Sequence, residues 1–187
     1  MRLSHSLFIL FFTSSVLWGQ NSVGLNINND DVELQASLNL NAMAGYADGT
    51  TYTIDGNYLH TDSENLFTFG VSGENQLQGI YGMTVGFGIK AAIADDYFAL
   101  PLLAKGSYRL PLNDAVPTTS LQMLLAYAPS VLSFSDADKY FEFRTQLDME
   151  VVPNIHLFTG YRNIDTDYVG RELNFNDSFY GGLKLNF

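Results

Sequence analysis

Residues 140–151 read YFEFRTQLDMEV, and the polar and apolar positions alternate through the whole run. Tyr140, Glu142, Arg144, Gln146, Asp148 and Glu150 fall on one face; Phe141, Phe143, Thr145, Leu147, Met149 and Val151 fall on the other. A side-chain period of two belongs to strands, so the run predicts a long strand with one polar and one apolar face. Residues 32–44 repeat the pattern, with Val32, Leu34, Ala36, Leu38, Leu40, Ala42 and Ala44 opposite Glu33, Gln35, Ser37, Asn39, Asn41 and Met43. The same grammar recurs at 51–60, 65–73, 80–93, 97–110, 119–128, 155–163 and 178–187. Strands of globular sheets run to roughly 5–6 residues, whereas a membrane-crossing strand needs about 9–11. These lengths favour an outer-membrane barrel over a small sandwich.

The fold class expected is therefore all-β: an antiparallel, up-and-down transmembrane β-barrel. Bacterial single-chain barrels have an even strand number with both ends in the periplasm. Val23, Leu25 and Ile27 in SVGLNIN supply a tenth strand, with eight as the alternative if that segment is only a tail. Ten strands place periplasmic links at 46–50, 74–79, 111–118 and 152–154, and external loops at 29–31, 61–64, 94–96, 129–137 and 164–177. Pro101 falls within the 97–110 strand, where it removes a ladder donor, so a bulge is expected there. Tyr46, Tyr52, Tyr97, Tyr108, Tyr127, Phe141, Tyr161, Phe179 and Phe187 lie near strand ends, as interfacial girdles do.

The chain has 187 residues, 47% of them hydrophobic and 14% aromatic, which is too apolar for disorder and fits one domain. A net charge of -11 with few, scattered cations excludes nucleic acid as a partner. The absence of Cys excludes disulfides, thiolate metal sites and cysteine nucleophiles. Residues 1–19, MRLSHSLFILFFTSSVLWG, combine a cation at Arg2, a short apolar run and a small residue at Gly19, the layout of a cleaved signal peptide. That run is shorter than the ~18–20 residues of a spanning helix. The domains expected are a signal peptide at 1–19 and an outer-membrane barrel at 20–187.

On the polar face this register sets Lys90, Lys105, Arg109, Arg144, Arg162 and Lys184 against Glu33, Asp55, Glu142, Asp148 and Glu150. A narrow barrel has little room for water, so opposite charges should pair across its lumen and plug it. The remaining acids crowd the connections, with only Lys139 and Arg171 beside them. Asp30-Asp31, Asp95-Asp96 and the DADK run at 136–139 could draw divalent cations weakly, although none has an EF-hand loop pattern. No metal centre and no cofactor are expected. Acidic outer loops could share Mg²⁺ or Ca²⁺ with lipopolysaccharide phosphates, which makes outer-membrane lipid and lipopolysaccharide the partners expected.

Three stretches carry a family resemblance: YAPSVLSFSDADKYFEFRTQLDMEVVPNIHLFTGYRNID at 127–165, NDSFYGGLKLNF at 176–187 and LNINNDDVELQAS at 25–37. Their most specific pieces, in order, are the YAP turn, the strand with Glu142 and Arg144, the Pro153-Asn154 turn and Gly160-Tyr161-Arg162. Together the stretches resemble the YfaZ family of small outer-membrane proteins. The resemblance implies an outer-membrane barrel and brings no catalytic residues with it. The terminal strand, with Phe179, Gly181, Leu183, Leu185 and Phe187 on one face, is similar to the C-terminal signal read by the barrel-assembly machinery.

Catalytic chemistry has few carriers here. His60, followed by Thr61, Asp62 and Ser63, could suggest a lipid-modifying hydrolase like the lipid A deacylase barrels, but the string is short and common. His156 starts a strand on the periplasmic side and should line the barrel. GFG at 86–88 lies within a strand with no Gly-Lys-Ser/Thr after it, so it is not a phosphate loop. The leading expectation is a non-enzymatic barrel with a structural or surface-interaction role. Its rivals are a narrow solute or ion channel, a lipid-modifying enzyme using His60, and a soluble periplasmic protein with a lipocalin-like cup.

Overall fold

The computed structural model describes residues 21–41, 49–62, 64–112 and 116–187. The expected signal segment and Tyr46 lie outside them. Ten strands cross the barrel: β1 (Ser22–Ile27), β2 (Asp31–Asn39), β3 (Thr50–Thr61), β4 (Asn65–Gln76), β5 (Met83–Ala94), β7 (Leu102–Arg109), β8 (Thr119–Ala128), β10 (Ala137–Val152), β11 (Ile155–Tyr168) and β12 (Asn174–Asn186). The short β6 (Tyr97–Ala99) and β9 (Ser133–Ser135) extend the wall at its outer end. Each spanning strand pairs antiparallel with its neighbours, β4 pairs with β5, and β1 pairs with β12 from Ser22↔Asn186 to Ile27↔Gly181. The ring is closed, so no spanning strand is left as a sheet edge.

Alternation fixes the two faces. Leu25, Leu34, Phe69, Phe87, Leu102, Met123 and Leu183 are exposed on the outside, each between lumen-facing neighbours. A closed ring of strands with an exposed apolar outer face is what a bilayer requires of a β-protein, because the face meets lipid and the backbone is satisfied internally. The lipocalin-like cup fails on this point, since the apolar stripe faces outward instead of lining a core.

The ladders differ from the expected bounds in instructive ways. β11 runs on to Tyr168 and β12 begins at Asn174, so the external connection expected at 164–177 is a short turn closed by Tyr168 and Arg171. The link between β4 and β5 falls at 77–82, where Gly79 and Gly82 adopt left-handed φ of 89° and 79°. Pro101 interrupts its strand without a bulge toward β5: Lys90 N–H still donates to the Pro101 carbonyl, and the register with β5 is unchanged on both sides. The irregularity sits in its other neighbour, where a 3₁₀ turn at Ser130–Leu132 separates β8 from β9. Tyr97 also departs from expectation. It points into the lumen, 2% exposed, rather than joining a girdle.

Glycines let large rings lie flat against the inner wall. In the β11–β12 register Phe158 faces Gly182 and Tyr180 faces Gly160, a reciprocal pair of aromatic side chains over glycines. A Cβ on Gly182 would sit 2.3 Å from the Leu25 carbonyl and 2.6 Å from Phe158 Cζ, whereas one on Gly181 would meet nothing closer than 3.7 Å. Gly182→Ala should therefore strain the β1–β12 seam and lower stability by about 1–3 kcal/mol. Gly181→Ala should stay near wild type. Urea midpoints of the two variants, followed by the shift between boiled and unboiled gel mobility, check the contrast.

Candidate functional site in the barrel lumen

The lumen divides into three levels. Its outer level is apolar: Leu59, Leu66, Tyr97, Tyr140, Ile164 and Phe175 pack together, with Ala92, Ala99, Ala126 and Ala128 in the same cluster. Tyr97 O–H donates to the Lys139 carbonyl, and its ring lies 5.0 Å from that of Tyr168 and 6.5 Å from that of Tyr140. Burial, with Tyr168, Asp167 and Asp138 nearby, pushes the Tyr97 phenol above its ordinary range, so it stays protonated and keeps that bond.

The middle level is a chain of alternating charges that crosses the barrel from β5 to β10, β2 and β11. Lys90 Nζ donates to Glu142 Oε2 at 2.5 Å, and Arg144 Nε donates to Glu142 Oε1 at 2.5 Å. Arg144 Nη1 reaches Glu33 at 2.7 and 2.8 Å, and Arg162 Nη1 donates to Glu33 Oε2 at 2.6 Å. Arg162 Nη2 then donates to Asp31 at 3.2 Å. The three carboxylates and three cations balance, and Glu33, Glu142 and Arg162 are wholly buried. Neutral groups add further hydrogen bonds to the chain. Tyr140 O–H donates to Glu142, Asn26 and Gln35 donate to Glu33, and Asn176 accepts from Arg162 Nε and donates to Asp31. The Arg162 guanidinium also lies 5.1 Å from the Tyr180 ring centre, a cation–π contact. Buried charges persist when each is paired, as here; among the described residues only two oxygens around the chain lack a hydrogen bond, Asn26 Oδ1 and Glu33 Oε1, and the latter still lies 2.7 Å from Arg144 Nη1.

The inner level, toward the periplasm, is roomier. A cavity of about 320 Å³ runs from Lys90 and Arg144 to Ser22, Ser37 and Lys184 near the chain ends. Lys105 pairs with Asp55 and lies 3.5 Å from Glu74 on its wall. At the rim Asp148 pairs with Lys184 and accepts from His156 Nδ1 at 2.6 Å, while Asn186 meets His156 Nε2 at 2.9 Å.

Of the charged residues the sequence places in the lumen, Glu33, Lys90, Glu142, Arg144 and Arg162 form one connected network, while Asp55–Lys105 and Asp148–Lys184 form separate pairs. Two are not brought in. Arg109 is exposed at the periplasmic end of β7 and makes no ion pair among the described residues. Among the described residues Glu150 accepts only from the Asn154 N–H in the β10–β11 turn. Asp31, Glu74 and His156 join the charged groups although the sequence set Asp31 in an outer loop. Its side chain turns inward to Arg162, Asn176 and Ser178, so the Asp30-Asp31 pair does not present two free carboxylates. Phe179, Leu183, Leu185 and Phe187 all lie exposed on the lipid face.

His60 sits at the outer end of β3, where its Nδ1 meets Asn65 Oδ1 at 2.7 Å, and Tyr58 O–H donates to the same oxygen. Ser63 lies outside the described residues. Among the described residues no three His, Asp or Glu side chains converge as a metal site.

The closed ten-strand ring and its lipid-facing band define a small outer-membrane β-barrel. The chain belongs to the YfaZ family, whose model, described as YfaZ precursor, matches residues 6–187. A precursor is a chain made with a leader that is later removed, in keeping with export to the outer membrane. A comparison with curated protein sequences finds no match. Similar solved structures include a NanC porin (11% identity, 90% of this chain, 98% of that chain, TM-score 0.49). Others are a KdgM porin in complex with disordered oligogalacturonate (9%, 90%, 99%, 0.47) and a bacterial polysaccharide outer membrane secretin (11%, 89%, 69%, 0.48).

Proposed function

We propose that this barrel is a non-conducting outer-membrane protein whose lumen is plugged, leaving structural and surface-interaction roles to its outer face. The observation that carries the reading is the unbroken charge chain from Lys90 to Asp31, roofed by the apolar level above it. An ion crossing the lumen would have to displace fully buried, mutually paired side chains, which is costly in a low-dielectric interior. The outer connections carry Asp30, Asp62, Asp95, Asp96 and Asp136, and such a rim suits divalent cations shared with lipopolysaccharide phosphates. The lipid-facing array of Phe179, Leu183, Leu185 and Phe187 suits recognition by the barrel-assembly machinery.

The reading is non-enzymatic. Support comes from His60, whose Nδ1 is engaged by an amide oxygen, not by a carboxylate that would orient it as a base. In planar bilayers the refolded barrel should give no steady conductance. A large, stable open level would make it a channel and remove the plug.

A further inference from the structure

We infer that the inner half of the lumen is a binding site for one small, neutral, polyhydroxylated molecule, admitted from the periplasmic end. At about 320 Å³ the cavity lies at the small end of the roughly 300–1,000 Å³ typical of ligand pockets. That is room for a single sugar-sized solute.

Charge accounting selects the class. The Lys90–Glu142–Arg144–Glu33–Arg162–Asp31 chain forming the outer end of the cavity is neutral, and Asp148 cancels Lys184 at the rim. On the wall Lys105 serves both Asp55 and Glu74, leaving one negative charge rather than a spare cation. Among the described residues no unpaired lining cation is left to recruit an anion, and the one surplus negative charge is shared by two carboxylates drawn to the same ammonium, so a cation finds no free carboxylate either. What the cavity does offer, with partners counted among the described residues, is unspent hydrogen-bonding capacity. Gln122 lines it with no protein partner for its amide among the described residues. Gln146 uses only its oxygen, toward Tyr180 O–H. Gln35 and Asn57 use only their NH₂ groups, toward Glu33 and Thr68. Arg144 donates through Nε and Nη1, leaving Nη2 without a protein partner. Donors and acceptors thus surround one space, beside the Tyr180 ring, in the mixture that hydroxyl groups satisfy as both donor and acceptor.

The one-sided access rests on the proposed seal; the binding does not. The test is a titration of the refolded barrel, in detergent, with D-glucose, D-glucuronate and D-glucosamine, following side-chain amide NMR signals. Glucose should shift the Gln35, Gln122 and Gln146 amides saturably in the millimolar range, and more than either charged analogue. Gln122→Leu should weaken glucose binding about fivefold, the loss of one net hydrogen bond. Absence of saturable shifts with glucose overturns the site, and a stronger response to glucuronate or glucosamine overturns the neutral class. Because these outcomes are read from wild-type protein, they stand even if the variant folds poorly. A barrel that conducts yet shows the glucose shifts would lose the plug and keep the site.

Discussion

Glu33→Ala is expected to destabilise the barrel by about 3–5 kcal/mol, the cost of breaking a buried ion pair from one side. Among the described residues Glu33 is the only carboxylate that touches both guanidinium groups, accepting from Arg144 and Arg162 at 2.6–2.8 Å with no solvent contact of its own. Its loss leaves Arg144 with Glu142 alone and Arg162 with Asp31 at 3.2 Å, and it strands the amides of Asn26 and Gln35. Asp55→Ala likewise removes a direct ion pair, to Lys105, but both side chains there are partly exposed to the cavity, at 24% and 17%, and Glu74 remains. That change should cost about 0–1 kcal/mol. Urea titrations of refolded protein, scored by the compact unboiled band, compare the two directly. Equal midpoints would mean that the central chain is not what holds the lumen together.

The position of Glu33 was legible in the sequence, and its partners were not. Parity alone set Glu33, Lys90, Glu142, Arg144 and Arg162 on the polar face, because a one-residue slip would put charge into lipid. Which carboxylate meets which cation depends on contacts across the ring, and Arg162 lies 129 residues from Glu33 in the chain. Parity also reports face without depth. Arg109 and Glu150 have the right parity but stand at the periplasmic ends of their strands, where water reaches them. Asp31 was hidden by its setting: NNDD has turn composition, yet Asp31 pairs with Thr61 as the first residue of β2. Tyr97 could have been placed, since it shares parity with Lys105, but its aromatic character suggested a girdle. The apolar outer level was invisible for a deeper reason. Leu59 and Leu66 face inward while Tyr58 and Phe67 face lipid, so alternation by polarity is lost where both faces are apolar.

Leu34→Arg is the second large effect expected, and it concerns the residue next to Glu33. The two side chains point to opposite faces of β2: Glu33 is fully buried in the lumen, and Leu34 is 50% exposed. In a water-soluble protein a half-exposed leucine replaced by arginine would change stability by only about 0.5 kcal/mol either way. Leu34 lies between Val32 and Leu38 and pairs with Leu25, inside the apolar band and away from either rim. In a bilayer a central arginine on the lipid face should cost about 2–4 kcal/mol, declining toward the interfaces. Ser22, at the periplasmic end of β1, marks where the penalty should fade, so Val23→Arg should be milder than Leu34→Arg. Folding yields in lipid vesicles, measured for both variants against wild type, give the depth dependence. A flat response, with Leu34→Arg folding as well as Val23→Arg, would mean that water rather than lipid bathes this face, and the cup-like soluble alternative would have to be taken up again. The charge required at position 33 and the charge forbidden at position 34 are then one statement about β2, that adjacent residues in a membrane strand answer to different solvents.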